Sequence, residues 1–265
     1  MFAELLRRSF PELDPVIDDL LLLECHQIAS LPERAPAQQL AAVLHADPRL
    51  HRFLVTRHPP IEAHLTRLLA QHAPAASVLL PACQEALVWE IADWIVYQRA
   101  PDLYDDADTP KPSTAAVTNV ARLEGKTVVD AGAGTGTMAF ALAPLAATVF
   151  AVEPVSTLRK YMRHKSKRLG ADHLHPIDGL LHAVPLPSGS VDVLVTRRSI
   201  GWRLSDELAE VERVLGSNGV AVHLLGRLTD EGDELHRALE AHGYAFDIYE
   251  EGSEPATRFW KQLGA

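Results

Sequence analysis

The sequence has little cysteine and no long apolar segment. Its only two cysteines, Cys25 and Cys83, lie in apolar, helical-looking text, so we expect reduced and buried thiols rather than a disulfide. The longest apolar runs, such as the leucines at 20–23, are far shorter than the ~20 residues that a membrane-spanning helix needs. The first residues lack the basic start of a signal peptide. These absences predict a cytoplasmic protein with no membrane partner.

Positive charge is also scarce. The 265 residues carry a formal net charge of -10, which disfavours a surface built to hold polyanions, although a local basic patch is compatible with it. Nucleic acid is therefore a disfavoured partner. Hydrophobic residues make up 47% of the chain, which is ample for a packed core.

The first hundred residues differ in pattern from the rest. Apolar residues recur there at helical spacing, as in Ile61, Leu65 and Leu68, and frequent prolines divide the text into five or six short helices. The stretch 101–113 is acidic and proline-rich, which is typical of a connection between domains. We predict an all-helical N-terminal domain and lid at 1–110 and a second domain at 111–265.

The second domain alternates between strand and helix patterns. The predicted strands are 126–130, 148–153, 175–178, 191–196, 219–225, 244–250 and 257–262. The predicted helices are 138–145, 155–169, 205–215 with Ser205 as its cap, and 231–242. The last two strands pair as an antiparallel hairpin. This pattern predicts an α/β fold with a Rossmann-like, mostly parallel seven-stranded sheet and helices on both faces.

A glycine-rich turn follows the first predicted strand. Asp130 ends the strand, and Gly132, Gly134 and Gly136 follow it. These glycines bring bare backbone to the carboxyl edge of the sheet, where open α/β folds bind ligands. Their G-x-G-x-G spacing departs from the G-x-G-x-x-G of dinucleotide-binding dehydrogenases, since Thr137 stands at the sixth position. An ordinary tight turn is the alternative, so the neighbouring strand ends decide the interpretation.

The next two strands end in carboxylates. Glu153 can accept hydrogen bonds from both hydroxyls of a ribose, and Asp178 can accept one from an adenine amine. Surface carboxylates at strand ends are the alternative for each. Together with the glycine turn, these residues stand in the order that an adenosine needs.

These motifs resemble the class I S-adenosylmethionine-dependent methyltransferases, especially the small-molecule group that includes the ubiquinone and menaquinone biosynthesis enzymes. The resemblance covers about residues 115–250. It rests on Val128–Gly136, Val152–Pro154, Asp178–Asp192, Glu210–Leu215 and Asn218-Gly219. It implies S-adenosylmethionine as cofactor and S-adenosylhomocysteine as product. The implied cofactor-binding residues are Asp130, Gly132, Ala133, Gly134, Gly136, Glu153, Pro154, Asp178, Gly179, Leu180 and Thr196.

The same resemblance places the loop after the fourth strand against the methyl acceptor. Arg197 or Arg198 can hold an acidic substrate there or make structural ion pairs. Trp202 can wall the substrate pocket or pack against the following helix. His182 is a candidate general base, with solvent exposure as the alternative, and Arg197 is a further catalytic candidate.

A segment ahead of the second domain resembles the family's lid. Tyr97, Tyr104 and Asp105 are similar to a Tyr-Asp segment that folds over the cofactor, so Tyr104 is a candidate for both substrate binding and catalysis. A plain linker with an anchoring tyrosine is the alternative. We predict no catalytic metal, because no pair of histidines has the helical spacing of metal ligands.

The predicted activity is methyl transfer to a small-molecule acceptor. A protein or RNA methyltransferase is the alternative, and so is a non-catalytic S-adenosylmethionine-binding regulatory protein. The helical domain can shape the acceptor pocket, bind a partner or form a homodimer. A dehydrogenase is disfavoured by the glycine spacing.

Overall fold

The computed structural model describes residues 2–107, 111–226 and 234–264. The chain divides into two compact units, Met1–Ala107 and Asp108–Ala265. Among the described residues, no helix is both long enough and apolar enough to cross a membrane.

The N-terminal unit is helical. Its helices are α1 Phe2–Ser9, α2 Cys25–Ala29, α3 Leu31–Arg34, α4 Ala37–Ala46, α5 Pro48–Arg57, α6 Glu62–Gln71, α7 Leu80–Glu90, α8 Ala92–Arg99 and α9 Pro101–Ala107. Short 3-10 helices cover Ile17–Leu22 and Pro59–Ile61. Residues 2–107 thus hold nine α-helices, and the expectation of five or six was wrong. Several prolines start a helix rather than only interrupting one, as Pro48 does after the Asp47 cap.

Leucine and isoleucine side chains from most of these helices form one core. Its fully buried members include Leu20, Leu23, Ile28, Leu31, Leu40, Leu50, Leu54, Leu65, Leu87, Ile91 and Ile95. The cysteines are not part of it. Both are free, but Cys25 is exposed at the start of α2, with its Sγ 3.2 Å from His58 Nδ1, and Cys83 is half-buried. The expectation of buried thiols was wrong for Cys25, which is exposed, and Cys83 is only partly buried.

The C-terminal unit is built on a sheet with the spatial order β3-β2-β1-β4-β5-β7-β6. The strands are β1 Thr127–Ala131, β2 Thr148–Val152, β3 Leu174–Ile177, β4 Val191–Arg197, β5 Leu215–Leu225, β6 Ala245–Glu251 and β7 Glu254–Gln262. The first five are parallel, and β7 is antiparallel to both of its neighbours. This confirms the predicted fold class.

Helices cover both faces of the sheet. They are α10 Ala115–Thr118, α11 Thr137–Leu142, α12 Ser156–Leu169, α13 Leu204–Val214 and α14 Glu234–Ala241. Val128 and Val193 face one buried cluster, whereas the adjacent Val129 and Leu194 face the other. Because successive residues of a strand point to opposite faces, strands covered on both sides are apolar throughout.

Several helix boundaries differ from the prediction. Helix α13 begins at Leu204, and Ser205 makes no cap; Glu207 instead accepts from the backbone N–H groups of Gly201 and Arg203, at 2.7 and 3.1 Å. Helix α11 ends at Leu142, and a 3-10 turn with Pro144 follows it. The first three residues of the predicted helix 231–242 lie outside the described residues.

The buried His223 on β5 predicts acid sensitivity. Burial lowers the pKa of His223 to about 3, from its ordinary value of about 6.5. Between these two values the unfolded chain binds a proton that the folded chain does not, so the free energy of unfolding falls as the pH falls, by about 1.4 kcal/mol per pH unit. The free energy of unfolding, measured by urea denaturation at several pH values in this range, should depend less steeply on pH in His223→Leu than in the wild type. The exposed His164→Leu should keep the wild-type slope, and equal slopes in all three proteins would contradict the prediction.

Candidate functional site

The glycine turn is attached to the end of β2. Gly132, Gly134 and Gly136 all adopt positive φ, at +75°, +58° and +80°, which favours glycine over other residues. The backbone N–H groups of Gly132 and Ala133 both donate to the carbonyl of Val152, at 2.9 and 3.1 Å. Because these contacts join the ends of β1 and β2, the turn has a fixed position at the carboxyl edge of the sheet.

Asp130 orders the helix that follows this turn. Its side chain is buried, and Oδ2 accepts from the backbone N–H of Ala139 in α11, at 2.9 Å. Gly136, where α11 begins, packs against Met162 and Phe140, which would lie 2.9 Å from an added Cβ. Both residues therefore shape the turn, and their contact with a cofactor stays a prediction.

Glu153 follows β2 and lies beneath the turn. One carboxyl oxygen, Oε2, accepts from the backbone N–H of Gly134, and the other accepts from that of Val155, each at 2.9 Å. Burial raises the pKa of Glu153 to about 7, although both hydrogen bonds lower it. Each carboxyl oxygen can accept more than one hydrogen bond, so this group keeps capacity for the hydroxyls of a ribose.

Arg159 links the ends of the second and third strands. Its Nη1 donates to the backbone carbonyl of Glu153 at 2.7 Å and lies 3.0 Å from Oδ1 of Asp178. The Asp178 side chain is 73% exposed and retains room for another donor. The sequence interpretation missed Arg159, although its place in the first turn of a helix that starts beside the motif at Pro154 was a usable sequence feature.

The residues after Asp178 form a tight turn. Gly179 leaves no room for a side chain, because an added Cβ would lie 2.7 Å from Pro185 and 2.9 Å from Val152. Leu180 makes an isolated antiparallel bridge with Ala183. Close approach of a ligand to this backbone stays a prediction.

The end of β4 carries buried polar groups. Thr196 is fully buried, with its Oγ1 2.8 Å from His223 Nδ1. Arg197 and Arg198 both pair with the buried Glu251, at 2.8 and 2.6 Å. Of the two readings left open for these arginines, the structure contains the ion pairs. Sequence reasoning missed Glu251, which lies 53 residues beyond Arg198 in the chain.

Each of the remaining candidates makes a local contact or is exposed. His182 Nε2 lies 3.2 Å from Arg203 Nη1, and the Trp202 side chain is 81% exposed. Tyr104 belongs to the N-terminal unit, where its ring packs edge-on against Tyr97 with a centroid distance of 4.6 Å. Among the described residues, no three His, Cys, Asp or Glu side chains cluster in a way that would hold a metal ion. The structure thus gathers the glycine turn, Glu153 and Asp178 at one edge.

The comparisons with known proteins bear on this edge. Residues 129–223, which include the turn, Glu153, Asp178 and Thr196, match the family described as "Methyltransferase domain". Residues 129–223 of the C-terminal unit are thus similar to a methyltransferase domain, and the unit has the Rossmann-like fold of the class I methyltransferases. This finding confirms the predicted family, whereas the likeness to the ubiquinone and menaquinone enzymes stays a prediction.

Three solved structures are similar to part of this chain, and one of them has a TM-score above 0.5. A "SAM dependent methyltransferase" from Aquifex aeolicus superposes with a TM-score of 0.51 at 19% identity, over 62% of this chain and 98% of its own. A precorrin-6y C5,15-methyltransferase from Geobacter metallireducens gives 0.46 at 21%, over 57% and 86% of the two chains. A geranyl diphosphate C-methyltransferase from Streptomyces coelicolor gives 0.46 at 16%, over 55% and 73%. No curated protein matches the sequence.

The raised pKa of Glu153 predicts that cofactor affinity depends on pH. Ribose hydroxyls donate to an ionised carboxylate, so binding favours the deprotonated form and releases a proton below pH 7. Affinity for S-adenosylhomocysteine should rise up to about tenfold per pH unit towards pH 7 and level off above it. Calorimetric titration from about pH 5.5 to about pH 8 measures this, in two buffers of different ionisation enthalpy.

Glu153→Gln is the control for this titration. It keeps the shape of the side chain but has no proton to lose, so its affinity should be lower and independent of pH over the same range. A variant with the wild-type pH dependence would show that another group titrates.

Proposed function

We propose that this methyltransferase domain moves the methyl group of S-adenosylmethionine to a small-molecule acceptor and releases S-adenosylhomocysteine. The observation that carries the proposal is the position and hydrogen bonding of the Glu153 carboxyl group. This group is held by Gly134 and Val155 directly beneath the glycine turn, with acceptor capacity to spare. This is the arrangement that a ribose with two free hydroxyls requires.

The ends of the neighbouring strands β1, β2 and β3 match successive parts of the cofactor. The turn from Gly132 to Gly136 would take the methionine part, Glu153 the ribose and Asp178 the adenine amine. The backbone at Gly179 and Leu180 would border the adenine ring. Asp178 supports this role because its exposed carboxylate already faces one donor, Arg159, and accepts further donors.

The turn is less suited to a dinucleotide. A pyrophosphate needs free backbone N–H groups at a helix N-terminus. Here the N–H groups of Gly132 and Ala133 donate to Val152, that of Gly134 donates to Glu153, and that of Gly136, the N-cap of α11, donates to Ala133. These contacts, together with the glycine spacing, favour a cofactor without phosphates.

The bound cofactor would supply an already activated methyl group on its sulfonium. The remaining tasks of the chain are to align the acceptor and to exclude water. Arg197 is nearly buried against Glu251, so Arg198, with a side chain 46% exposed, is the better candidate for an acidic acceptor. Trp202 offers an exposed aromatic surface for an apolar acceptor. His182 is a weaker candidate for a catalytic role, because its Nε2 already has Arg203 Nη1 as a partner at 3.2 Å.

A specific feature supports RNA as a second candidate acceptor. Helix α12 contains six Lys or Arg residues and no Asp or Glu, in a chain of net charge -10. The exposed Lys160, Arg163 and Lys167 form one row at i, i+3 and i, i+4 spacing. Like charges at this spacing destabilise a helix, and a polyanion would relieve the repulsion.

Cofactor binding is the first test. Calorimetric titration of the full chain should give micromolar affinity for S-adenosylmethionine and S-adenosylhomocysteine and none for NAD. Glu153→Ala should weaken binding by roughly 1 to 3 kcal/mol, because it removes buried hydrogen bonds to ribose. The exposed Glu124→Ala, ahead of β1 at the opposite edge, should bind as wild type does. Binding of NAD alone, or unchanged affinity in Glu153→Ala, would overturn the cofactor assignment.

An acceptor screen then separates the two candidates. Small phenols, acids and amines are offered with S-adenosylmethionine, and formation of S-adenosylhomocysteine is followed. A parallel reaction offers RNA at low and high salt, since phosphate contacts weaken steeply as salt rises. Turnover with RNA alone, lost at high salt and in Lys160→Glu/Lys167→Glu, would replace the small-molecule proposal.

A further inference from the structure

Glu251 lies outside the segment that matches the methyltransferase family. That segment ends at 223, whereas Glu251 is the last residue of β6. Strands β6 and β7 form a hairpin whose turn, between Glu251 and Glu254, reaches past the pairing of Leu225 with Thr257. Since β7 is antiparallel to β5, this turn lies at the carboxyl edge of the sheet, beside the end of β4.

The carboxylate of Glu251 holds two successive residues of the loop after β4. Oε1 accepts from Arg197 Nε at 2.8 Å, and Oε2 accepts from Arg198 Nη2 at 2.6 Å. The side chain of Glu251 is 4% exposed and that of Arg197 is 10% exposed. A buried carboxylate with a guanidinium on each oxygen is a directional contact, and loss of one partner would leave a buried charge uncompensated.

Arg198 has an unusual backbone conformation. Its φ is +59°, and it is the only non-glycine residue with positive φ among residues 2–107, 111–226 and 234–264. This conformation is strained for a residue with a Cβ and persists only where the surroundings hold it. The backbone bond from Arg198 N to the carbonyl of Leu224 and the side-chain bond to Glu251 are the contacts that do so.

The reversal at Arg198 turns Ser199 towards the glycine turn. Ser199 Oγ donates to the carbonyl of Ala131 at 2.6 Å, at the end of β1. A Cβ added to Gly132 would lie 2.4 Å from Ser199 Cβ, so the serine fills the space beside this glycine. A chain of contacts therefore runs from Glu251 through the arginines and Ser199 to Gly132.

We propose that Glu251 is a positioning residue for the cofactor site, which it acts on through Arg198 and Ser199. By holding the strained loop after β4, it keeps Ser199 closed over the glycine turn and the turn ready for the methionine part of the cofactor. The inference rests on the proposed function, because it concerns the same site. Arg197 then serves this support alone, whereas Arg198 contributes to it through Glu251 and keeps an exposed part of its side chain for an acidic acceptor.

A double-mutant cycle tests the inference through S-adenosylhomocysteine affinity. Glu251→Gln keeps the side-chain size but removes the charge that both arginines need, so the closed loop should be populated only part of the time. The affinity for S-adenosylhomocysteine falls in proportion to the population of the closed loop, and we expect a roughly fivefold to tenfold loss. If Glu251 acts through Ser199, Glu251→Gln should cost no further affinity in a Ser199→Ala background.

The matched control is Asp247→Asn. Asp247 pairs with Arg258 in the same hairpin, and its partner contacts the backbone of Ala116 rather than the loop after β4. It should leave S-adenosylhomocysteine affinity unchanged, even where it lowers the melting temperature. If Glu251→Gln does not fold, the cycle uses Arg198→Ala, which removes the exposed half of the contact and leaves Arg197 paired.

The outcomes separate the inference from the proposed function. Wild-type binding with a coupled loss in Glu251→Gln and Ser199→Ala supports the inference. Wild-type binding with unchanged affinity in Glu251→Gln, or with losses that simply add in the double mutant, overturns the inference alone. Failure of the wild-type chain to bind S-adenosylhomocysteine overturns the proposed function, and the inference with it.

Discussion

The whole site depends on the hydrogen bonds that join the end of β2 to the turn after β1. The carbonyl of Val152 and the carboxyl group of Glu153 together take three successive backbone N–H groups, those of Gly132, Ala133 and Gly134. A turn with positive φ at alternate residues has no helical or strand ladder of its own to satisfy these groups. The neighbouring strand supplies the missing acceptors, so the shape of the turn is a property of two strands together.

This constraint also sets what the edge can bind. Backbone donors that are already used by the protein are not available to phosphates, whereas the carboxylates of Glu153 and Asp178 remain acceptors. The edge is therefore suited to a ligand that donates hydrogen bonds, as ribose hydroxyls and an amino group do. Burial has a cost for Glu153, whose pKa it raises to about 7, and a donor from a ligand would offset that cost.

Hydrophobic periodicity and turn residues predicted the positions of the strands and of the glycine turn, because both depend on local sequence. Every predicted strand is present, and β5 differs most, beginning at Leu215 rather than Gly219. What the sequence could not supply were partners far apart in the chain. Glu251 and Arg197 are 54 residues apart, and no spacing rule pairs them. Ser205 is not a cap because α13 already begins at Leu204, and Glu207 accepts from the backbone N–H groups of Gly201 and Arg203 ahead of the helix.

The position of β7 between β5 and β6 has a consequence for how the chain assembles. During synthesis β6 emerges before β7, but it has no place in the sheet until β7 has paired with β5. The five parallel strands and the glycine turn can form earlier, from residues that are already available. The loop after β4 must therefore wait, with Arg197 and Arg198 uncompensated, for the most C-terminal strand of the sheet. The contact of Glu251 with this loop is therefore among the last in the domain that synthesis makes available.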